Sequence, residues 1–148
     1  GKRNYYIQRI DQIMKRSLMR KNFYVLVRVR ENFGKVRFDK RLDYKIDCEP
    51  QFFGTKLPPL SLQTLVENSI KHVAAKTSER TDIIISVKEN NEFIEITVSD
   101  SGTGFNENDL KENHGLDILR KRLQTIFDGN AKLEIVGNSV VKLHLPKD

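Results

Sequence analysis

Two consecutive prolines, followed by a long helical pattern, constrain the fold of this chain more than any other feature. Pro58 and Pro59 have no amide hydrogen and suit positions at or before the first turn of a helix, so a helix is predicted to begin near Ser61. Apolar and small side chains then recur at helical spacing along one stripe: Leu62, Leu65, Val66, Ser69, Ile70 and Val73. The pattern predicts an amphipathic helix that packs on a core.

Strand patterns surround this helix. Residues 41–46 alternate apolar and polar side chains and predict a short strand. Residues 83–87 and 93–98 predict a hairpin with a polar turn at 89–92, and residues 133–136 and 140–145 predict another that turns at Gly137 and Asn138. A second amphipathic helix, ended by residues 128–130, is indicated between the hairpins by Leu116, Leu119, Leu123, Ile126 and Phe127. This order predicts an α+β fold, a two-layer α/β sandwich with the helices on one face of a mixed β-sheet.

The leading segment, residues 5–36, is more ambiguous. It has no proline, and no glycine before Gly34. Its apolar side chains at positions 18, 25, 29, 33 and 36 recur with helical periodicity. A competing interpretation makes residues 23–29 a strand, followed by a hairpin turn at residues 31–34. We adopt the helix, and divide the chain into a basic helical segment at residues 1–36 and a second domain at residues 37–148.

Composition narrows the class of protein. A chain of 148 residues with 38% hydrophobic side chains predicts one compact domain, and it lacks the run of about 20 apolar residues that a membrane helix needs. Its single cysteine, Cys48, forms no internal disulfide, which fits a reducing compartment. Residues 1–45 carry 14 Lys or Arg against 4 Asp or Glu. This basic arm indicates a juxtamembrane, partner-docking or nucleic-acid-binding patch, and a solvated helix face explains it at least as well.

A first polar cluster lies on the predicted helix after the prolines. Glu67, Asn68, Lys71 and His72 are predicted to share the face opposite the apolar stripe. A carboxylate, an amide, an ammonium and an imidazole on one face could hold a metal ion, orient a water and contact phosphate. Taken alone, an exposed polar helix face is the better explanation of these residues.

Two further clusters follow. Asp100, Gly102 and Gly104 come directly after a predicted strand, where glycines let the backbone approach a ligand closely, although an ordinary turn has the same residues. His114 and Gly115 open the second helix, where free amides and the helix dipole favour an anion.

The order of the three clusters resembles the ATP-binding domain of the GHKL superfamily, which includes DNA gyrase, MutL, heat-shock chaperones and histidine kinases. The resemblance spans residues 37–146. Residues 57–72, with the sequence LPPLSLQTLVENSIKH, are similar to the start of the catalytic domain in LytS-like bacterial sensor histidine kinases. The resemblance implies a Bergerat-type ATP-binding fold.

The resemblance also implies roles on the phosphate side. Asn68 corresponds to the residue that coordinates magnesium between the ATP phosphates, and Glu67 to the acid that orients the reacting group. Lys71 and His72 match positions close to the phosphates. At the second helix, His114, Gly115 and Leu116 match the glycine-rich end of the nucleotide lid. Two positions depart from the family pattern, because Asn113 stands where a glycine is usual and Ile118 where an asparagine is usual.

On the adenine side, the resemblance implies that the Asp100 carboxylate accepts a hydrogen bond from the adenine amino group. Gly102 and Gly104 would shape the base pocket, and Phe105 would begin the mobile lid at residues 105–113. Ser139 matches a family threonine whose hydroxyl contacts the adenine side.

The implied protein is the cytoplasmic ATP-binding catalytic domain of a membrane-anchored, homodimeric bacterial histidine kinase in the inner or plasma membrane. It would bind ATP and Mg²⁺ and phosphorylate a histidine of its own dimerisation domain, and a response regulator would receive the phosphoryl group. None of His72, His114 and His144 matches the family's phosphoacceptor, so this histidine is expected outside the chain. The alternatives are a non-catalytic or serine-kinase-type ATP-binding regulatory module and, less favoured, a nucleic-acid-binding domain that uses the basic arm.

Overall fold

A mixed sheet organises the computed structural model, which describes residues 5, 8–10, 12, 24–25, 42–57, 61–76, 81–100, 114–136 and 140–147. Within these residues the sheet has five strands in the order β2-β4-β5-β7-β6. The strands are β2 (Leu42–Cys48), β4 (Thr81–Asn90), β5 (Phe93–Asp100), β6 (Lys132–Val136) and β7 (Val140–Pro146). Strands β2 and β4 are parallel, and every other pair in this sheet is antiparallel.

Two helices cover one face of the sheet. Helix α1 (Ser61–Lys76) lies in the crossover that a parallel β2–β4 pair requires, and it contacts β4 and β5. Helix α2 (His114–Ile126) contacts α1 and β6. The predicted α+β two-layer architecture is confirmed. Neither of these described helices has both the length and the apolar character needed to cross a bilayer.

Along each strand, successive side chains point to opposite faces of the sheet, so every second side chain faces the helices. In β4, Ile83, Ile85 and Val87 are buried while their neighbours are partly exposed, and β5 and β7 alternate in the same way. The β-branched residues favour the pleated conformation and fill its inner face. The helices contribute their apolar stripes to the same core, which includes Leu62, Leu65, Val66, Leu116, Leu119 and Leu123.

The predicted hairpins are confirmed, with longer strands than the sequence pattern indicated. The β4–β5 turn contains two residues, Asn91 and Glu92, instead of the predicted four. Asn91 has φ 54°, in the left-handed region that asparagine tolerates better than most residues. The turn of the second hairpin, at residues 137–139, lies outside the described residues.

Residues 128–130 end helix α2, as predicted. Asp128 and Gly129 both have positive φ, 51° and 80°. The Gly129 amide donates to the Gln124 carbonyl at 2.9 Å, which is the six-to-one bond of a Schellman cap. The cap redirects the chain from α2 into β6.

The helical interpretation of the leading segment is wrong at Tyr24–Val25. These two residues form β1, which pairs antiparallel with β3 (Lys56–Leu57). The aromatic and β-branched residues around position 25 favour a strand more than their helical spacing favours a helix. Tyr5, residues 8–10 and Gln12 are helical, as predicted, and Ile10 is fully buried in the common core. The boundary at residues 36 and 37 lies outside the described residues and stays a prediction.

Charged side chains meet on the sheet face that points away from the helices. Lys142 Nζ lies 2.8 Å from Glu95 Oε1, and Asn90 donates to the other oxygen of Glu95 at 3.3 Å. The hydrogen bond from Lys142 lowers the pKa of Glu95, and the same bond raises the pKa of Lys142. Because the pKa of Glu95 is depressed on folding, the pair stabilises the fold above the ordinary carboxylate pKa and is lost as pH falls.

We expect Gly129→Ala to lower the free energy of unfolding by about 1 kcal/mol, because alanine is strained at φ 80°. A Cβ at this position meets no atom within 4 Å, so the loss comes from the backbone alone. Gly54→Ala is the matched control, since its added Cβ also meets nothing within 4 Å and Gly54 has no positive φ. Equal urea midpoints for the two variants would contradict the proposed role of the cap.

We expect Glu95→Gln to lower the free energy of unfolding at pH 7 by about 0.5–1 kcal/mol. In the unaltered protein this contribution disappears as the pH falls from the ordinary carboxylate pKa of 4.5 through the depressed value. The variant should therefore lose less stability than the unaltered protein over that acid range. Glu92→Gln, in the exposed hairpin turn, is the control and should keep the original acid dependence in urea titrations. An unchanged dependence in Glu95→Gln would exclude this contribution.

Candidate functional site

Asn68 lies within the buried face of α1. The buried positions of this helix form two adjacent rows, one of Ser61, Leu65 and Asn68 and the other of Leu62, Val66 and Ser69. Asn68 is only 5% exposed. The prediction that it lies on an exposed face opposite the apolar stripe is therefore wrong. The buried face is wider than the stripe, so an amide is placed between the helix and the sheet.

Glu67 lies at the edge of the same face and is half-buried. Its Oε1 accepts a hydrogen bond from Gln63 Nε2, one turn earlier in α1, at 3.1 Å. Asn68 follows Glu67 directly in the chain. The helix thus has a half-buried acid at the edge of its inner face and a buried amide within that face.

Asp100 places a carboxylate on the helix side of the sheet. It ends β5 and continues the buried, inward-facing positions Ile96 and Val98. It lies opposite Ile83 of β4 and is 7% exposed. An ionised carboxylate only accepts hydrogen bonds, so it suits a ligand that brings an N–H group. Asn68 and Asp100 are both buried, and the elements that carry them, α1 and β5, contact each other.

The start of α2 completes the part of the candidate site that the structure describes. His114 is the first residue of the helix, Gly115 is exposed, and Leu116 is buried in the core. Leu116 anchors the first turn in the core, and Gly115 beside it is exposed. The dipole at a helix N-terminus favours an anionic group such as a phosphate.

The structure describes only some of the other predicted site residues. Lys71 and His72 lie in α1, one turn beyond Glu67 and Asn68. Gly102, Gly104, Phe105 and Ser139 lie outside the described residues.

His144 occupies the opposite face of the sheet from the candidate site. Its ring meets Phe93 edge to face at 6.4 Å, and its Nε2 lies 3.7 Å from Glu134. These contacts make His144 part of the outer sheet face.

The donor set around Asn68 suits magnesium only together with other ligands. The described residues contain no group of three or more His, Cys, Asp or Glu that could hold a metal ion. Magnesium commonly takes few protein ligands and completes its octahedron with substrate phosphates and waters. A single amide oxygen from Asn68 fits that kind of coordination.

Sequence reasoning did not identify Gln63 as part of the site, and it assigned Ser69 to the apolar stripe without a polar role. Ser69 is 1% exposed, and its hydroxyl has no hydrogen-bond partner in the described structure. The glutamine could have been found from its spacing, because residues four apart on a helix are neighbours. The serine gives no such signal, since its small side chain fits a packed helix face.

Comparison with solved structures identifies the fold as that of a histidine kinase catalytic domain. The histidine kinase domain of the blue-light-activated kinase EL346 from Erythrobacter litoralis aligns with a TM-score of 0.56 and 18% identity, covering 98% of this chain and 73% of that one. The catalytic domain of histidine kinase ThkA, in a nucleotide-free form, aligns with a TM-score of 0.53 and 18% identity, covering 95% and 90%.

Sequence comparison then gives the family. Residues 60–148 match the histidine kinase-, DNA gyrase B- and HSP90-like ATPases, and the chain belongs to this family. It is 32% identical over 118 residues to the sensor protein LytS of Streptococcus mutans. It is 29% identical over 126 residues to the sensor histidine kinase/phosphatase LytS of Staphylococcus aureus. Each alignment covers 76% of this chain, but only 20% and 22% of those relatives. The predicted family and fold are confirmed, and ATP is the ligand that the family implies.

We expect Ser69→Ala to raise the free energy of unfolding by about 1 kcal/mol. Alanine removes a buried hydroxyl that has no hydrogen-bond partner in the described part of the chain, and it is the better helix former. Urea denaturation measures the change. Ser61→Ala is the control, because Ser61 is also buried but makes polar contacts, so its loss should destabilise the protein. A destabilised Ser69→Ala variant would show that the hydroxyl has a partner in solution.

Proposed function

We propose that this chain is the catalytic domain of a sensor histidine kinase, which binds Mg-ATP and donates the γ-phosphoryl group to a histidine on a separate domain. The observation that carries the proposal is the burial of Asn68 on α1 and of Asp100 on β5, two elements that contact each other in a family ATPase fold. Polar side chains at buried positions where apolar ones would pack better indicate a ligand-binding role.

Asp100 is proposed to select the base. Its carboxylate accepts a hydrogen bond and cannot donate one when ionised, so it suits the exocyclic amino group of adenine and disfavours the carbonyl oxygen of guanine. Gly102, Gly104 and Phe105 continue directly from this strand end in sequence, and are proposed to border the base and begin the lid. Ser139 is proposed to add a hydroxyl contact on the adenine side.

The residues of α1 and the start of α2 are proposed to bind the phosphates. Asn68 would hold Mg²⁺, which neutralises phosphate charge when bound. Lys71 and His72 follow one turn later on α1, and His114, Gly115 and Leu116 form the first turn of α2, where the helix dipole favours an anion. Glu67 orients the accepting imidazole at the rim of the site. Positioning and charge stabilisation account for most catalysis of phosphoryl transfer.

The remaining proposals concern the whole protein, because this chain spans about a fifth of the relatives it matches. We propose that the natural protein is a membrane-anchored homodimer and that residues 37–148 form its cytoplasmic ATP-binding domain. The phosphoacceptor histidine would lie in its dimerisation domain, and a response regulator would accept the phosphoryl group. The kinase names of the relatives support this arrangement.

Calorimetric titration with a non-hydrolysable ATP analogue tests the proposal. Binding should strengthen when Mg²⁺ is added, and the GTP analogue should bind more weakly than the ATP analogue.

Asn68→Ala is expected to remove most of the Mg²⁺-dependent gain and weaken binding about tenfold or more, because the site loses an oxygen ligand. Circular dichroism establishes that the variant is folded. Asn130→Ala, in the exposed loop after α2, is the matched control and should bind as the unaltered protein does. Full Mg²⁺-dependent binding by folded Asn68→Ala would contradict the assignment.

Asp100→Asn tests the adenine side separately. We expect the ATP analogue to lose about tenfold in affinity while the GTP analogue loses much less, so that discrimination between them shrinks. Asp47→Asn, an exposed carboxylate at the far edge of the sheet, should change neither affinity. Equal losses for both nucleotides in Asp100→Asn would indicate general damage to the pocket and overturn the proposed role in base selection.

A further inference from the structure

We propose that Gln63 is a positioning residue for phosphoryl transfer, holding the Glu67 carboxylate in its working orientation. The inference rests on the proposed function and extends it to a residue outside the nucleotide-contacting set. Its basis is the hydrogen bond from Gln63 Nε2 to Glu67 Oε1 at 3.1 Å.

The hydrogen bond from Gln63 gives the two oxygens of the Glu67 carboxylate different roles. Gln63 lies one helical turn before Glu67, and both side chains are half-buried at the edge of the inner face of α1. The terminal torsion of a glutamate side chain is broad, so the plane of a carboxylate is poorly fixed by its own rotamer. A donor on Oε1 restricts that rotation and leaves Oε2 to accept a hydrogen bond from the reacting group.

The chemistry of the donor also matters. A glutamine amide donates a hydrogen bond and does not titrate, so it can orient the carboxylate without neutralising its charge. Asn68 directly follows Glu67 and is buried, which fixes the backbone on one side of the acid. The side chain of Gln63 then fixes the acid from the other side.

A purely structural role predicts a different result. A polar pair at this spacing contributes little to helix stability, so its loss barely changes folding. A misplaced catalytic group, in contrast, can lower a rate by up to about a hundredfold. The rate of phosphoryl transfer therefore distinguishes positioning from helix stabilisation.

The experiment uses the natural protein that contains this chain. Single-turnover phosphohistidine formation is measured with γ-labelled ATP over a range of Mg-ATP concentrations. We expect Gln63→Ala to lower the maximal rate about tenfold and to change the half-saturating ATP concentration by less than about twofold. Gln63→Glu should lower the rate further, because it replaces the donor with a like charge. Gln124→Ala, an exposed glutamine of α2, is the matched control and should keep the original rate.

A double-mutant cycle provides the decisive comparison. If Gln63 acts through Glu67, then Gln63→Ala should cause no further loss in a Glu67→Gln background. Equal fractional losses in both backgrounds, or an unchanged rate in Gln63→Ala, would overturn this inference while leaving the proposed function intact. Absence of phosphohistidine from the unaltered protein would instead overturn the proposed function and this inference together.

Discussion

The burial of one sheet face under α1 and α2 is the constraint on which the rest of the structure depends. A five-stranded sheet with alternating Ile, Val and Leu has one apolar face that must be covered, and α1 and α2 pack on it. The crossover between the parallel strands β2 and β4 brings α1 onto that face. The same packing brings polar groups of α1 and β5 into one interface, so the layer that stabilises the fold also forms the candidate site.

The polar residues buried in this apolar layer and the charged residues on the outer face of the sheet have different roles. Asn68 and Asp100 take positions that an apolar side chain would fill with less desolvation cost, and Ser69 is buried as well. In contrast, the outer face of the sheet carries its charges as local pairs such as Glu95 with Lys142. The inner polar residues therefore suit ligand binding, whereas the outer pairs make a modest contribution to stability.

Much of this fold was predictable because its signals are local. The prolines and apolar stripe predicted α1, alternation predicted both hairpins, and the positive-φ residues after α2 lie where a helix end was expected. At Tyr24–Val25 the helix was preferred to the competing strand because the pairing with Lys56–Leu57 is non-local. The burial of Asn68 was missed for a similar reason, since the width of the buried face of α1 depends on both the sheet and α2. The family resemblance singled out Asn68 and Asp100, but only the structure shows that both are buried.

Amide NMR of the labelled chain, titrated with magnesium and a non-hydrolysable ATP analogue, shows which face of the sheet binds the nucleotide. We expect shifts for the amides of Asn68, Ser69, Asp100, Gly115 and Leu116, with outer-face residues such as Glu95, Lys142 and Glu134 unaffected. Saturable shifts confined to the inner face would establish the helix–sheet interface as the nucleotide site. Shifts confined to the outer face or to the basic residues 1–45, or no shifts in a folded protein, would contradict it.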